Sequence, residues 1–129
     1  MLFKFYVLSF SLDGGYVGII EWIMGKHSAA WLGFYSRDIF ETCDTYACAK
    51  DSMMKTEMVS PVYFIIADGK SKNDGAIITR SREKTLGVVN LHDELDMKQS
   101  GSWFLLQTNY DPWNNPPFFD DRRNPGIKV

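Results

Sequence analysis

The sequence is poor in the groups from which most metal and nucleophile sites are built. It holds two cysteines and two histidines in 129 residues. Cys43 and Cys48 stand five apart, which fits neither a CxxC redox pair nor zinc-ligand spacing. Two free, partly buried thiols are the plain expectation. His92 adjoins Asp93, Glu94 and Asp96, but that stretch lacks the alternating oxygen ligands and glycine pivot of a calcium loop. A solvated acidic turn is expected there. Neither His92 nor His27 is flanked by anything that suggests a serine or cysteine triad. No glycine-rich loop is present to cradle phosphate, and no N-x-S/T sequon occurs. Charge of one sign is also missing: 14 basic against 16 acidic residues leave a net −2, giving no electrostatic footprint for nucleic acid. No apolar run reaches the roughly eighteen residues that a transmembrane helix needs. Internal repeats and low-complexity segments are absent as well.

What the chain has in quantity is apolar and aromatic side chains. A hydrophobic fraction of 45% is ordinary for a globular domain, but 15% aromatic residues is high. That points to a core built on large rings, or to an apolar binding surface. The length suits one domain, or a piece of a larger one. The opening MLFKFYVLSFSL has a lysine and a short apolar run, but it stops at Asp13 without a small-residue cleavage site. A buried strand is therefore expected rather than a signal peptide.

The chain divides into a starting strand at 1–12, a helical layer at 13–60, a strand meander at 61–108 and a polar tail at 109–129. In the helical layer, YVGIIEWIMG is apolar nearly all round, with only Glu21 interrupting. This predicts a buried helix or one facing a greasy surface, stopped at Gly25 with Lys26 and His27 at its carboxyl end. Trp31, Leu32, Phe34, Tyr35, Ile39 and Phe40 recur at helical spacing. Asp44 or Thr45 is placed to cap a third helix that would share Tyr46, Ala49 and Met53 on one face. Met53 and Met54 then read as core and helix flank.

In the meander, PVYFIIAD alternates Val62, Phe64 and Ile66 against Tyr63, Ile65 and Ala67. Both sets are apolar, so the strand should be covered on both faces. GAIITRSRE and LGVVNLH read as further strands, DGKSKNDG as a hairpin connection, and WFLLQT as a last buried strand ending at Asn109. Strands with both faces buried and one helical layer predict an α+β layered sandwich. One helical block cannot cover both faces, so one face of the sheet is expected to be bare.

The tail QTNYDPWNNPPFFDDRR sets Asn109 before prolines 112, 116 and 117, then Asp120 and Asp121 before Arg122 and Arg123. It admits two readings: a surface turn with ion pairs, or a held polar site. In the second, a fixed Asn amide donates to an oxyanion, and an arginine is clasped by carboxylates and turned inward.

GGYVGIIEWIMGK at 14–26, SPVYFIIADG, AIITRSRE, LLQTNYD, TNYDPW and FFDDRRNP together resemble the β-subunit of the acid ceramidase family. The resemblance spans residues 10–128 in one order, with small length differences around 90–100. N-acylethanolamine-hydrolysing amidases share the TNYD and DDRR elements but have no counterpart to GGYVGIIEWIMG. The resemblance implies part of an αββα sandwich of the N-terminal nucleophile hydrolase type, incomplete in this chain. It implies a lysosomal hydrolase of sphingolipid metabolism that splits ceramide, or another N-acyl lipid, into sphingosine and a fatty acid. No metal or organic cofactor is implied. An N-terminal (α) subunit and a saposin-type lipid presenter are the implied partners, and 109–129 becomes an active-site loop. By position, Asn109 matches the family's late catalytic asparagine and Arg122 its active-site arginine, with Arg123 only a neighbour. The family's nucleophilic cysteine, and the arginine and aspartate just after it, have no match here. Val7, Leu8 and Ser9 stand where an NER tripeptide carries an active-site glutamate. The expectation is a fragment or short form, inactive alone. Rival expectations are a non-catalytic lipid- or partner-binding module, and a chain that does not fold.

Overall fold

The computed structural model describes residues 4–8, 15–70, 74–91 and 104–128. Its frame is an antiparallel sheet of four strands in the order β1-β2-β3-β4. These are β1 (Lys4–Leu8), β2 (Val62–Ala67), β3 (Gly75–Arg80) and β4 (Thr85–Asn90). Three helices fall between the first two strands: α1 (Gly15–Ile23), α2 (Leu32–Thr42) and α3 (Tyr46–Lys55). The architecture is α+β, and among the described residues no helix is long and apolar enough to cross a membrane.

Runs of β-branched and aromatic residues make β2 and β3, because such side chains pack well on a pleated surface. Their register sets Phe64 opposite Ile78 and Ile66 opposite Ala76, with Val88 of β4 opposite Ile78. Facing pairs share a side of the sheet. This inner side packs on Tyr35 and Ile39 of α2 and on Ala49 and Met53 of α3, forming one buried cluster. The Tyr35 and Phe64 rings meet at 6.2 Å in a tilted arrangement.

Helix α3 starts where the sequence suggests. Thr45 accepts a hydrogen bond from the Cys48 amide at 3.2 Å, satisfying one of the orphan donors of the first turn. Its far end is held by an inward arginine. Arg80, 1% exposed at the end of β3, donates from Nη1 to Met53 O at 2.9 Å and from Nη2 to Thr56 O at 2.6 Å. Carbonyls at a helix carboxyl end carry negative partial charge, so a cation there is favoured and the buried charge is solvated by backbone. Thr85 Oγ1 adds a bond to Met54 O at 2.7 Å, and Tyr35 OH donates to Thr56 Oγ1 at 2.9 Å. Sheet and helices are thus stitched by polar groups as well as by burial.

Four expectations from sequence are corrected. Cys43 and Cys48 are joined in a disulfide across Cα atoms 5.6 Å apart, so neither is a free thiol. The α2–α3 turn brings the two together, a tertiary fact that their spacing does not encode. Of the two expectations for helix α1, burial is the one overturned: Ile23 is 72% and Met24 82% exposed, and Tyr16, Val17 and Ile20 also face out. The inner sheet face is filled by α2 and α3, which leaves α1 at the margin. There Gly18 lies so close to the Val59 carbonyl that no Cβ fits, while Glu21 pairs with Arg82 and Lys26. Gly25, with φ of 100°, does end the turn after α1. Third, residues 104–108 are irregular rather than strand; Leu106 packs beneath Gly126 instead of joining the sheet. Fourth, the sheet has no bare side over β3, where Ile77 and Thr79 are as buried as their inward neighbours. The tail folds over that side. His92 and its acidic neighbours, and Trp103, lie outside the described residues.

Replacing Cys43 and Cys48 together by alanine should lower stability by about 2 kcal/mol, as expected for opening so short a loop in the unfolded chain. The urea midpoint of the oxidised chain should fall by a matching amount, with little change in slope.

Candidate active site

The outer face of the sheet presents Tyr63, Thr79 and Gly87 in one row, since Tyr63 pairs with Thr79 and Thr79 with Gly87. The tail docks on this row at both ends. Tyr63 OH donates to Asp111 Oδ1 at 2.7 Å, and the Trp113 ring lies over Gly87, where an added Cβ would stand 3.0 Å from it. Burial first, and the bond to Asp111 second, push the Tyr63 phenol well above its ordinary value. It is neutral at any ordinary pH and can keep donating.

The tail itself is wound round a second inward arginine. Arg123, 7% exposed, opens the short helix α4 (Arg123–Ile127). Its Nη2 donates to Tyr110 O and Asp111 O, each at 2.7 Å, and its Nη1 to Asn114 O at 2.9 Å and Pro112 O at 3.2 Å. Five donors in a rigid fork suit such a ring of carbonyls, which a lysine could not span. Buried Gln107 reinforces it, with Nε2 donating to Thr108 O at 2.6 Å and Tyr110 O at 2.9 Å. Asp121 accepts from the amides of Arg123 at 3.1 Å and Asn124 at 3.0 Å, capping α4. Those amide bonds, that of Asn124 foremost, hold the Asp121 carboxyl below the usual range.

On this base stand the two residues singled out from sequence. Asn109 is exposed, and its Nδ2 donates to Asp120 Oδ2 at 3.0 Å. Arg122, also exposed, donates to Asp120 Oδ1 from Nε at 3.0 Å and Nη2 at 2.7 Å. Tyr110 OH reaches Asp120 Oδ2 at 3.1 Å. Asp120 closes the 3-10 turn Phe118–Asp120, which follows Pro116 and Pro117. Asn109, then Arg122 and Tyr110, hold its carboxyl below the usual range. Loss of water, then the bond to Asp120, raises the Tyr110 phenol. Asn109 and Arg122, thirteen positions apart, are therefore brought together on one carboxylate.

The sequence reading is corrected in two particulars. Asn109 does not sit at the end of a buried strand; its rigidity comes from Gln107 and Arg123 below it. The arginine turned inward is Arg123, while Arg122 points to solvent. Gln107 and Arg123 went unnoticed as organisers of the site. The doubled Asp-Arg pattern was the one signal for Arg123, and no local pattern marks Gln107. Among the described residues no cluster of His, Cys, Asp and Glu is placed to hold a metal ion.

Fold and loop together define a helix-backed antiparallel sheet that displays an amide donor and a guanidinium, a pair suited to binding a developing anion. No family model matches the chain. It is 47% identical over 116 residues to the acid ceramidase of Heterocephalus glaber, covering 90% of this chain and 28% of that protein. The acid ceramidase of Macaca fascicularis is 48% identical over 116 residues, again 28% of its length. That of Mus musculus is 46% identical over 119 residues, 29% of its length. By sequence the chain is a relative of acid ceramidase, corresponding to a part of it: it spans less than a third of the proteins it matches.

Arg123→Lys should lower stability by about 2–3 kcal/mol, because several buried carbonyls lose their donors. The loss should appear first as faster amide exchange and proteolytic nicking within residues 107–126, with β2 and β3 still protected.

Proposed function

We propose that this chain supplies the anion-binding side of a ceramidase-like amidohydrolase. Asn109 donates its carboxamide N–H to the oxyanion formed when the amide carbonyl of an N-acyl lipid is attacked. Arg122 steadies negative charge beside it. The observation that carries the reading is the meeting of Asn109 and Arg122 on the Asp120 carboxylate. A preorganised dipole and a fixed cation lower the barrier because they need not reorganise as charge develops.

The nucleophile comes from outside the 129 residues. Both cysteines of the sequence are locked in the Cys43–Cys48 disulfide, so neither can furnish a thiolate. The chain alone is accordingly inactive, and cleaves amides only with a polypeptide that carries an N-terminal cysteine. In the full assembly the four-stranded sheet and its helices form one α and one β layer of an αββα sandwich of the N-terminal nucleophile hydrolase type. The substrate is ceramide, the products are sphingosine and a fatty acid, and no metal or organic cofactor takes part. An α subunit and a saposin-type presenter are the proposed partners, and the lysosome the compartment. A disulfide supports passage through an oxidising route.

A second reading has its own support. The outward apolar residues of α1 suit a non-catalytic lipid- or partner-binding module. Incubation with a fluorogenic ceramide separates the two. The chain alone should give no turnover. Complementation with the nucleophile-bearing segment of a relative should restore it, and Asn109→Ala should then reduce kcat by about 10²-fold or more. Turnover by the chain alone that Asn109→Ala abolishes would overturn the need for an outside nucleophile. Ceramide binding that is indifferent to both Asn109→Ala and Arg122→Ala would favour the binding module.

A further inference from the structure

We propose that Asp120 is a positioning residue that sets which way the Asn109 carboxamide faces and couples it to Arg122. The catalytic meaning of this role rests on the amidohydrolase reading above; the positioning does not.

A primary amide has two orientations of nearly equal shape, with oxygen and nitrogen exchanged. What selects one is the partner. An ionised carboxylate can only accept, so Asp120 Oδ2 at 3.0 Å admits Asn109 Nδ2 and repels its Oδ1. With one N–H so engaged, the second is fixed in the amide plane and available to another acceptor. The other oxygen of the same carboxylate takes both Nε and Nη2 of Arg122, a two-pronged contact that fixes the guanidinium plane. Tyr110 OH supports Oδ2 from a third direction. Asn109, Arg122 and Tyr110 are the groups facing this carboxylate among the described residues.

Asp120 is itself held in place. Pro116 and Pro117 lead into its 3-10 turn, Asp121 caps α4 on its other side, and Arg123 anchors the loop beneath. An asparagine at position 120 would offer both a donor and an acceptor. The two orientations of Asn109 would then become equivalent, and half of the population would present oxygen where a donor is wanted.

The test is read by NMR on the 15N-labelled full chain and requires no turnover. As Asp120 titrates, the chemical shifts of the Asn109 Nδ2 protons and the Arg122 Nε proton should move together, with one midpoint below 3.8, the ordinary aspartate value. A depressed folded value means that the contact's contribution is complete above about 3.8 and is lost as pH falls through the folded midpoint. In Asp120→Asn both titrations should vanish and the Asn109 side-chain signals should shift or broaden already at pH 6. Ile78 and Met53 methyl signals report whether the core is intact. Should acid unfold the core before the midpoint, the pH 6 spectrum of Asp120→Asn decides alone. Asn109 signals that stay in place in that variant, or that ignore a titration seen at Arg122, would overturn the proposal. Coupled titration without ceramide cleavage in the complemented enzyme would overturn the amidohydrolase reading alone. Uncoupled titration in an active enzyme would overturn the positioning alone.

Discussion

The tail, and with it everything displayed for chemistry, depends on one buried guanidinium. Arg123 gathers the carbonyls of residues 110–112 and 114 round a single cation. Backbone oxygens that would otherwise need water are satisfied by its fork, and its charge is spread over their dipoles. Because that knot exists, Asp111 meets Tyr63 and Trp113 lies on Gly87, which covers part of the outer side of the sheet. The same knot leaves Asp120 at the surface of a stiff loop, where it can hold Asn109 and Arg122.

Arg80 does the corresponding work on the inner side. Its guanidinium rests on Met53 O and Thr56 O, the carboxyl end of α3, and no carboxylate pairs with it among the described residues. Each side of the sheet is thus fastened by an arginine that uses backbone oxygens as its counter-charge. Such fastening depends on geometry more than on net charge, so it persists at pH values that neutralise carboxylates.

Periodicity recovered what local patterns control. Val62, Phe64 and Ile66 alternate into the core, Thr45 caps α3, and Tyr46, Ala49 and Met53 share a face, because strand pleat, cap chemistry and helical repeat are all local. What failed was tertiary. The apolar run of α1 admits either burial or an apolar outward face; α2 and α3 fill the inner face, and no window of sequence contains the competition that decides between the two. The Cys43–Cys48 bond depends on a turn between two helices. The stretch before Asn109 has the composition of a strand, but Leu106 is claimed by α4. At the site, motif resemblance chose Asn109 and Arg122 and local pattern set Asp120 and Asp121 beside the arginines, while the meeting of Asn109 with Asp120 emerged only from the fold. Hydrogen-bond partners eleven and two residues apart leave no periodic trace.

Two arginines in succession thus face opposite worlds, one buried among carbonyls and one in solvent beside a carboxylate. Most surface loops accept an added or lost residue at small entropic cost. Here a single insertion or deletion between Asp120 and Arg123 would move both arginines out of register with their two places. The inward position would then draw in whichever guanidinium the new spacing offered, and the partner of Asn109 would be lost with every residue of the site still present. For this tail, length carries as much information as composition.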